Sequence, residues 1–448
     1  MREYQSYKPS GVDWLGLIPT NWNRFRMKFC FNGINGGVWG EEPIGDQNDI
    51  ICIRVADFNY EYGIIDTTNL TTRNISVSEQ RSRLLKKGDL LIEKSGGGEL
   101  SPVGRVVKFD LDIKAVCSNF INRLNTKNQF NADYLNYLNR FLYSKGITES
   151  CINQTTGIQN LKVSEFVSKT IFIPSLLEQQ FIVGFLDYKT KLIDNFIANR
   201  QKQIGLLKEQ KAGIINKAVT KGINPDAKMK PSGIKWIGEI PDSWEVWKLK
   251  FLVKKISKGT TPSTEGRELL DLGAIRFLKA ENITNDGIKY IPEFFIDEET
   301  NHILKRSQLQ PNDILFVIAG ATIGKVAIIT NEFIPANTNQ AVCFIRLKKK
   351  ILPELVFHQL QSNYVKNKMT VESVVAAQPN ISMGDIGDFQ IFLPPIEEHE
   401  ILLRYIQEET KVIDTLISKY QKQIDLMHEY RISLVSQAVT GKIDVREW

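Results

Sequence analysis

The segment GATIGKV, Gly320 to Val326, comes nearest in this sequence to a phosphate-binding loop. A phosphate loop has four residues between its glycines, and a Ser or Thr after its lysine holds magnesium. Here three residues separate Gly320 from Gly324, and Val326 stands where that hydroxyl is needed. The pattern therefore predicts a turn between two strands rather than a nucleotide site.

A second candidate for chemistry is PDSWEVWK, in which Asp242, Glu245 and Lys248 have the residue types of a metal-dependent nuclease. The same segment occurs earlier as PTNWNRFR, residues 19–26, and this copy contains no carboxylate. Because the copies share only the proline and the tryptophan, we interpret those two residues as structural and the acids as incidental. The segment does not indicate a nuclease.

The histidines and cysteines lack the spacing of metal ligands or of a redox motif. They are His302, His358, His399 and His428, with Cys30, Cys52, Cys117, Cys151 and Cys343. We expect reduced cysteines in the core, and solvated histidines at the last two positions, which lie on a predicted helix. The sequence also lacks a glycine-rich fingerprint for a dinucleotide or S-adenosylmethionine and an N-P-P-aromatic motif. It predicts a chain without catalytic residues, metal or cofactor of its own.

Composition indicates a globular protein with a mild positive charge. Hydrophobic residues make up 42% and charged residues 24% of the 448 residues, a balance typical of chains that fold. The 57 Lys and Arg exceed the 51 Asp and Glu by 6, which is compatible with a polyanion partner but common without one. The longest apolar stretch, Ile314 to Gly324, is about half of a membrane span, and the N-terminus lacks the apolar core of a signal peptide. We expect a cytoplasmic protein of about two to four domains.

The sequence is written twice. KPSGVDWLGLIPTNW, Lys8 to Trp22, recurs as KPSGIKWIGEIPDSW, Lys230 to Trp244, with nine of fifteen positions identical. The match weakens through KKGDLLI and QPNDILF and becomes strong again at QKQI and AVT, near the end of each half. A period above 200 residues indicates duplication of a domain rather than a repeat array.

The two similar tails predict long helices. Each is free of proline and carries apolar residues at near-heptad spacing, which indicates a seam buried against another helix. Prolines precede the tails at Pro174 and Pro394, and glycines follow them at Gly222 and Gly441. We predict helices of about 40 residues, roughly 60 Å long, that pair as an antiparallel coiled coil. The alternative is that each helix packs only on its own domain.

The segments between openings and tails, roughly 23–150 and 245–364, differ in sequence. They contain short β-branched and aromatic runs separated by Gly, Asn and Asp turns, followed by a short helical pattern, and so predict α+β domains.

The openings, the tail entries IPSLLEQQFIVGFLDYKTKLID and LPPIEEHEILLRYIQEETKVID, and the ends AVTKG and AVTGK resemble the specificity subunit of Type I restriction-modification enzymes. This resemblance spans nearly the whole chain. It implies two target recognition domains that each read one half of a bipartite DNA site, separated by a helical spacer. It further implies a subunit inactive alone, which gathers two modification and two restriction subunits; S-adenosylmethionine, ATP and Mg belong to those partners.

With the resemblance, the predicted fold is α+β: two similar globular target recognition domains, separated by two long helices in an antiparallel coiled coil, with a pseudo-twofold circular repeat. The repeat is circular because the first helix runs into the second opening, while the second helix ends the sequence and the first opening begins it. The predicted domains are residues 1–174, helix 175–222, residues 223–394 and helix 395–448.

Candidate DNA contacts lie in polar, glycine-rich loops, since Asn and Gln read adenine, Arg and Lys read guanine, and Lys, Ser and Thr bind phosphates. In the first half they are Lys94, Ser95, Arg105, Asn119, Gln154, Thr156, Gln159 and Asn160. In the second half they are Lys258, Thr260, Thr261, Lys279, Thr322, Lys325, Asn339, Gln340, Gln378 and Asn380. Each is equally compatible with a solvated loop or a turn cap, and the matched pair Asn160 and Asn380 with a structural turn.

Two other functions remain open from the sequence. A duplicated coiled-coil scaffold that binds protein or glycan would show no steep salt dependence of DNA affinity. A stand-alone nuclease or methyltransferase would turn over substrate as the purified chain, which we do not expect.

Overall fold

The structure, a computed structural model, describes residues 2–98, 101–155, 157–373 and 380–448. The chain divides into two units: residues 1–200 with 422–448, and residues 201–421. Each unit therefore contains one body and parts of both long helices. The predicted domain boundaries, which separate bodies from helices, stay predictions.

The first unit begins with the opening segment and its body. Its strands are β1 (Tyr7–Pro9), β2 (Leu17–Pro19), β3 (Asn23–Arg26), β4 (Phe31–Gly36), β5 (Asp49–Ile53), β6 (Phe58–Asn59), β7 (Ile64–Ile65), β8 (Thr71–Asn74), β9 (Asp89–Glu93), β10 (Ser95–Gly96), β11 (Val106–Phe109), β12 (Ala115–Cys117), β13 (Ile121–Thr126), β14 (Ile152–Thr155), β15 (Ile158–Leu161) and β16 (Thr170–Ile173). Its helices are α1 (Val77–Arg83), α2 (Ala132–Ser144), α3 (Val163–Phe166) and the long α4 (Leu176–Lys221), which continues past residue 200.

The second unit repeats this plan. Its strands are β17 (Met229–Pro231), β18 (Glu239–Pro241), β19 (Glu245–Lys248), β20 (Val253–Lys258), β21 (Ile275–Leu278), β22 (Ile283–Thr284), β23 (Gly287–Ile288), β24 (Phe295–Ile296), β25 (Ile314–Val317), β26 (Val326–Ile328), β27 (Ala336–Thr338), β28 (Val342–Leu347) and β29 (Gln390–Leu393). Its helices are α5 (Leu249–Leu252), α6 (Glu298–Ile303), α7 (Pro353–Leu360), α8 (Asn363–Ser373), α9 (Met383–Gly387) and α10 (Ile396–Val439), of which α10 continues past residue 421.

The two bodies have matching sheets. A four-stranded antiparallel sheet has the order β11-β9-β13-β4 in the first unit and β26-β25-β28-β20 in the second. Each body also has a three-stranded sheet, with the order β12-β5-β8 in the first unit and β27-β21-β24 in the second. In each of these sheets one pair of strands is parallel: β12 with β5, and β27 with β21. The segments that diverge in sequence thus keep one α+β topology, as predicted.

A buried ion pair explains the weakly conserved match between KKGD and QPND. Asp89 accepts a hydrogen bond from Arg123 Nε at 2.6 Å, and Asp313 accepts one from Arg346 Nε at 2.8 Å. Each carboxylate also caps its own turn by accepting from the backbone N–H of Lys86 or Gln310. These donors offset the cost of burying the two carboxylates.

The long helices pair antiparallel in the first unit. Near the start of α4, Phe185 and Tyr188 contact the ring of Trp448, while further along it Asp194 binds Arg431 of α10. Residue numbers thus rise along α4 while those of its contacts fall from Trp448, after α10, to Arg431 within it, which is an antiparallel arrangement. Arg431 also donates to Glu61 of the body at 2.8 Å, which connects both helices to that body.

The same pairing occurs in the second unit. Lys211 of α4 binds Asp414 of α10 at 2.6 Å, and Lys221 lines one pocket together with Leu402. The apolar residues of the predicted seams are all buried or half-buried: Ile182, Leu186, Ile193, Phe196, Ile204, Leu207, Ile214 and Ala218 in α4, and Leu402, Ile406, Ile413, Leu416, Ile424, Met427, Leu434 and Ala438 in α10. The predicted antiparallel coiled coil is therefore confirmed within each unit, and the opposite charges at Lys211 and Asp414 occupy the places of Arg431 and Asp194.

The end of each helix binds an opening segment. In the first unit Lys442 donates to the carbonyls of Leu15, at 3.0 Å, and Leu17. In the second unit Lys221 donates to the carbonyls of Ile237 at 2.7 Å and Glu239 at 2.6 Å. The segment after α10 therefore contacts the first opening in the same way that the end of α4 contacts the second opening, which is the predicted circular repeat.

Each joint is completed by a glycine and a tryptophan. Gly441 and Gly222 have φ of +68° and +73°, and each approaches the Pro and Trp of the opening segment that its helix end contacts. Trp22 donates from Nε1 to Glu178 at 2.8 Å, and Trp244 donates to Glu398 at 3.1 Å. The tryptophan of the duplicated segment is thus a structural anchor, as its two copies predicted.

Three smaller expectations can be compared directly. All five cysteines are buried and free. GATIGKV forms the turn between β25 and β26. The expectation of a solvated His399 is wrong: this residue is 5% exposed, and its ring Nε2 lies 3.0 Å from the carbonyl of Pro394.

Candidate nucleic-acid interface

Two loops of the first unit meet at the edge of the four-stranded sheet. Gly37, directly after β4, donates to the Ile121 carbonyl at 3.0 Å, and Val38 donates to the Cys117 carbonyl at 2.8 Å. A Cβ at Gly37 would lie 2.1 Å from the carbonyl oxygen of Ser118, so only glycine allows this approach. The contact presents Trp39 beside the loop at residues 118–120.

The second unit contains the same arrangement with other side chains. Gly259 donates to the Val342 carbonyl at 3.1 Å, and a Cβ there would lie 1.9 Å from the Thr338 oxygen. Thr261 takes the place of Trp39, and its hydroxyl donates to the amide oxygen of Gln340. We call these backbone contacts the loop frames: the first is Gly37 with residues 117–121, and the second is Gly259 with residues 338–342. The two frames have the same backbone arrangement and present different side chains.

Several predicted residues of the first unit surround this frame. Ser95 pairs with Asn160 between β10 and β15, and its hydroxyl donates to Asn160 Oδ1 at 2.6 Å. The backbone N–H of Lys94 donates to the Phe120 carbonyl at 2.8 Å, next to the exposed Asn119. These loops thus come together.

The neighbouring hairpin of β14 and β15 carries two more of the predicted residues. Gln154 and Gln159 lie opposite each other in it. Gln159 is 6% exposed, and its amide oxygen accepts from the backbone of Val103 at 3.2 Å. Its side chain is therefore buried against the loop that contains Val103 and is not presented at the surface.

Arg105 is separated from this group. Its guanidinium lies 4.1 Å from the ring centre of Tyr60, donates to the Tyr143 hydroxyl at 3.0 Å, and also binds Ser101. It lines a second pocket of about 560 Å³ with Arg140 and Arg431. These contacts favour a structural role, and contact with DNA stays a prediction.

In the second unit, Thr260, Thr261, Asn339 and Gln340 share the frame described above. Lys279 follows β21 next to it, where the Asn339 N–H donates to the Leu278 carbonyl at 3.3 Å. The ammonium of Lys279 lies 3.3 Å above the centre of the Phe294 ring.

Thr322 and Lys325 belong to the turn after β25, and the Thr322 hydroxyl donates to the Ala280 carbonyl at 3.3 Å. Lys325 lines a pocket of about 650 Å³ with Asn380, which forms a bridge with Ala319. Lys258 is exposed at the end of β20. Thr156 and Gln378 lie outside the described residues.

Three residues near the first frame were missed by the sequence interpretation. Trp39, Glu93 and Phe120 line a pocket of about 390 Å³ together with Ser95 and Asn119. Burial raises the pKa of Glu93 to about 7. The available signal was an acid at the end of the apolar run DLLI, and exposed aromatics within loops.

The described ranges contain no group of three or more His, Cys, Asp or Glu side chains placed to hold a metal ion. In the same part of the chain, no helix is long and apolar enough to span a bilayer. The chemistry offered by the loops is hydrogen bonding, stacking and positive charge, which are the means by which proteins bind nucleic acid.

The chain is similar in sequence and in fold to proteins of type I restriction systems. The chain is similar to the type I restriction enzyme MjaVIII specificity subunit of Methanocaldococcus jannaschii, with 29% identity over 388 residues, 84% of this chain and 82% of that protein. It is also similar to the EcoKI specificity subunit of Escherichia coli, with 23% identity over 447 residues, 96% of this chain and 90% of that protein. The fold is similar to a chain solved in a study of complex assembly and conformational transition of the type I R-M system. That match has a TM-score of 0.64 and 13% identity, and covers 95% of this chain and 99% of that chain.

A family model described as the Type I restriction modification DNA specificity domain matches residues 22–206 and 241–434. Each match contains one opening tryptophan, one body with the glycine-framed loops, and a large part of one long helix. From this duplicated match, which covers most of its length, the chain belongs to the Type I restriction-modification DNA specificity family.

Proposed function

We propose that the chain recognises a bipartite DNA target, with each body reading one half-site. The observation that supports this most is the shared loop frame at Gly37 and Gly259, which keeps its backbone hydrogen bonds while its side chains differ. A scaffold role requires no such difference. Two recognition surfaces built on one frame suit two different sequences.

The side chains suggest how the half-sites are distinguished. The first frame presents Trp39, Asn119 and Phe120, and the second presents Thr261 and Gln340. Asn and Gln pair with the N6 and N7 atoms of adenine, and aromatic rings contact bases and the thymine methyl group. Lysines in the adjacent loops supply phosphate contacts, which position the duplex without reading it.

The chemistry of the complex belongs to other subunits in this proposal. The chain would bring two modification and two restriction subunits to the DNA in the cytoplasm, and would be inactive alone. S-adenosylmethionine, ATP and Mg would be bound by those partners, and this chain would supply only recognition of the DNA target sequence.

The long helices would set the gap between half-sites. With 46 residues in α4 and 44 in α10, they are roughly 65 to 70 Å long. One heptad inserted after Leu206, and one at the matching place after Leu426, should lengthen the gap by about three base pairs. An unchanged gap would contradict the spacer role while leaving DNA recognition intact.

The proposal is tested by co-expression with the neighbouring modification subunit and genome-wide mapping of methylated adenines. We expect one motif of two short half-sites with an unspecified gap. Asn119→Ala should relax only one half-site and Gln340→Ala only the other, so each variant controls for the other. A continuous motif, or one altered in both halves by either variant, would refute the assignment.

The scaffold alternative is separated by salt dependence. DNA binding through phosphates requires the affinity of the complex to fall steeply and linearly on a logarithmic scale as salt rises. Affinity that does not respond to salt would favour a protein or glycan ligand.

A further inference from the structure

The pocket beside the first frame has a carboxyl group at its base. Trp39 and Phe120, which are 38% and 44% exposed, stand on its walls, and Glu93 is 3% exposed. Gly96 also lines it, and a Cβ at Gly96 would lie 3.7 Å from Glu93 Oε1. The absence of a side chain there keeps the carboxyl group uncovered on the pocket side.

Glu93 is not fully used by the fold. Among the described residues, its Oε2 has no hydrogen-bond partner. Arg54 lies on the pocket wall, but its guanidinium donates to Asp57 at 2.7 Å. The charge of Arg105 acts to lower the pKa of Glu93 but is outweighed by burial, and the Arg105 guanidinium donates to Tyr143 and Ser101. An acceptor left unpaired in a buried place is costly, and this one lines a pocket, where a ligand that donates a hydrogen bond can reach it.

The second unit shows that the fold does not need this acid. Glu93 pairs with Ile121 across β9 and β13, and Val317 pairs with Val342 across the matching strands β25 and β28. The same sheet position is therefore filled by valine in one unit and by an acid in the other. The difference lies beside the frame whose side chains also differ.

We propose that this pocket binds the amino-bearing edge of one nucleobase of the first half-site, with the Glu93 carboxyl group accepting a hydrogen bond from the exocyclic N–H. The matching chemistry is that of cytosine N4 or adenine N6. Thymine O4 and guanine O6 are acceptors and would face the carboxyl oxygen unfavourably. A phosphate is excluded by its charge. Trp39 and Phe120 supply the apolar faces on which a base rests.

Protonation of Glu93 does not remove this role. Burial raises its pKa to about 7. In each form a carboxyl oxygen accepts, but the protonated form also has an O–H that can donate to thymine O4 or guanine O6, so the preference for an amino group should sharpen as the pH rises above 7. The inference rests on the proposed function, because it assigns one position of a half-site to one residue.

The test uses the complex with the modification subunit and compares the wild type with Glu93→Val, which copies the second unit. Glu149→Val, an exposed position outside the pocket, is the control. In methylation maps we expect Glu93→Val to relax one C or A position of one half-site, while the gap and the other half-site stay unchanged. The control should leave the motif as it is.

Binding to modified duplexes then tests the atom. At the relaxed position, cytosine is replaced by 2-pyrimidinone, or adenine by purine, which lack the amino group. The wild type should lose about tenfold or more in affinity, and Glu93→Val should lose nothing further. The two analogues separate cytosine from adenine.

The outcomes distinguish failure of bipartite DNA recognition from failure of the role assigned to Glu93. If the wild type gives no bipartite motif, the proposed function fails. If it gives one that Glu93→Val leaves unaltered, or if both proteins lose affinity equally for the analogue, only the inference about Glu93 is overturned. If Glu93→Val reads neither half-site, Glu93→Gln decides: its amide oxygen still accepts, so it should keep the preference, and its loss in a variant that still reads the other half-site overturns the inference.

Discussion

The two tryptophan anchors predict unequal effects of one substitution. Glu178 accepts hydrogen bonds from Trp22 Nε1 at 2.8 Å, the Tyr4 hydroxyl at 2.7 Å and Asn21 Nδ2 at 3.1 Å. At the matching place, Glu398 accepts from Trp244 Nε1 at 3.1 Å and is half-buried. The first anchor is therefore more extensively bonded and less exposed to water.

The magnitude follows from the donors left behind. Glu178→Ala strands two buried donors, the Trp22 N–H and the Tyr4 hydroxyl, at about 1 to 3 kcal/mol each, so we expect a loss of about 2 to 6 kcal/mol. Glu398→Ala leaves one donor that water can reach, and should cost about 1 to 2 kcal/mol. Glu178→Gln keeps an acceptor oxygen and should lose less than the alanine variant.

Hydrogen exchange followed by mass spectrometry measures this locally. Peptides that contain Trp22 should lose protection in Glu178→Ala, while those that contain Trp244 stay within about 0.5 kcal/mol of the wild type. Glu398→Ala should show the reverse pattern with a smaller change. Equal losses in the two variants, or a larger loss in Glu398→Ala, would refute the reasoning from bonded donors.

Three further outcomes are expected. Burial raises the pKa of Glu93 to about 7, so the folded protein favours the protonated carboxyl group. The stability that this adds is fully present at a pH below the ordinary pKa of a glutamate and is lost as the pH rises through 7. In urea unfolding, Glu93→Gln should therefore gain about 3 kcal/mol relative to the wild type between about pH 4 and about pH 8; a constant difference would contradict the shift. Gly441→Ala should lower the melting temperature more than Gly222→Ala, because its Cβ would lie 2.4 Å rather than 3.2 Å from a proline carbon; equal shifts would contradict this. Arg431→Met leaves two carboxylates without their guanidinium and should cost about 2 to 3 kcal/mol in urea unfolding, whereas a neutral result would show that the ion pairs add nothing.

Local patterns predicted the long helices correctly. Apolar spacing placed Ile193 and Ile413 on a buried seam, and both are buried. This works because the period of a helix is contained in a short stretch of sequence. The circular order of the repeat was predicted from the duplicated opening segments and tails alone.

Other features depended on contacts between distant parts of the chain. His399 was expected in water because nothing nearby in sequence indicates that the Pro394 carbonyl and the core enclose it. Gln159 was expected at the surface, although a loop more than fifty residues earlier in the chain binds its amide. Glu93 belongs to an apolar run whose spacing cannot show a pocket.

The lysine joints have a consequence for how such a chain can change over time. Lys442 and Lys221 bind main-chain oxygens, which every amino acid carries, so the attachment does not depend on most of the side chains around it. If the body between an opening segment and its helix were replaced by the body of a related protein, these lysine hydrogen bonds could still form. Exchange of gene segments at these borders could therefore give a new sequence preference in one step, without redesign of the scaffold that carries it.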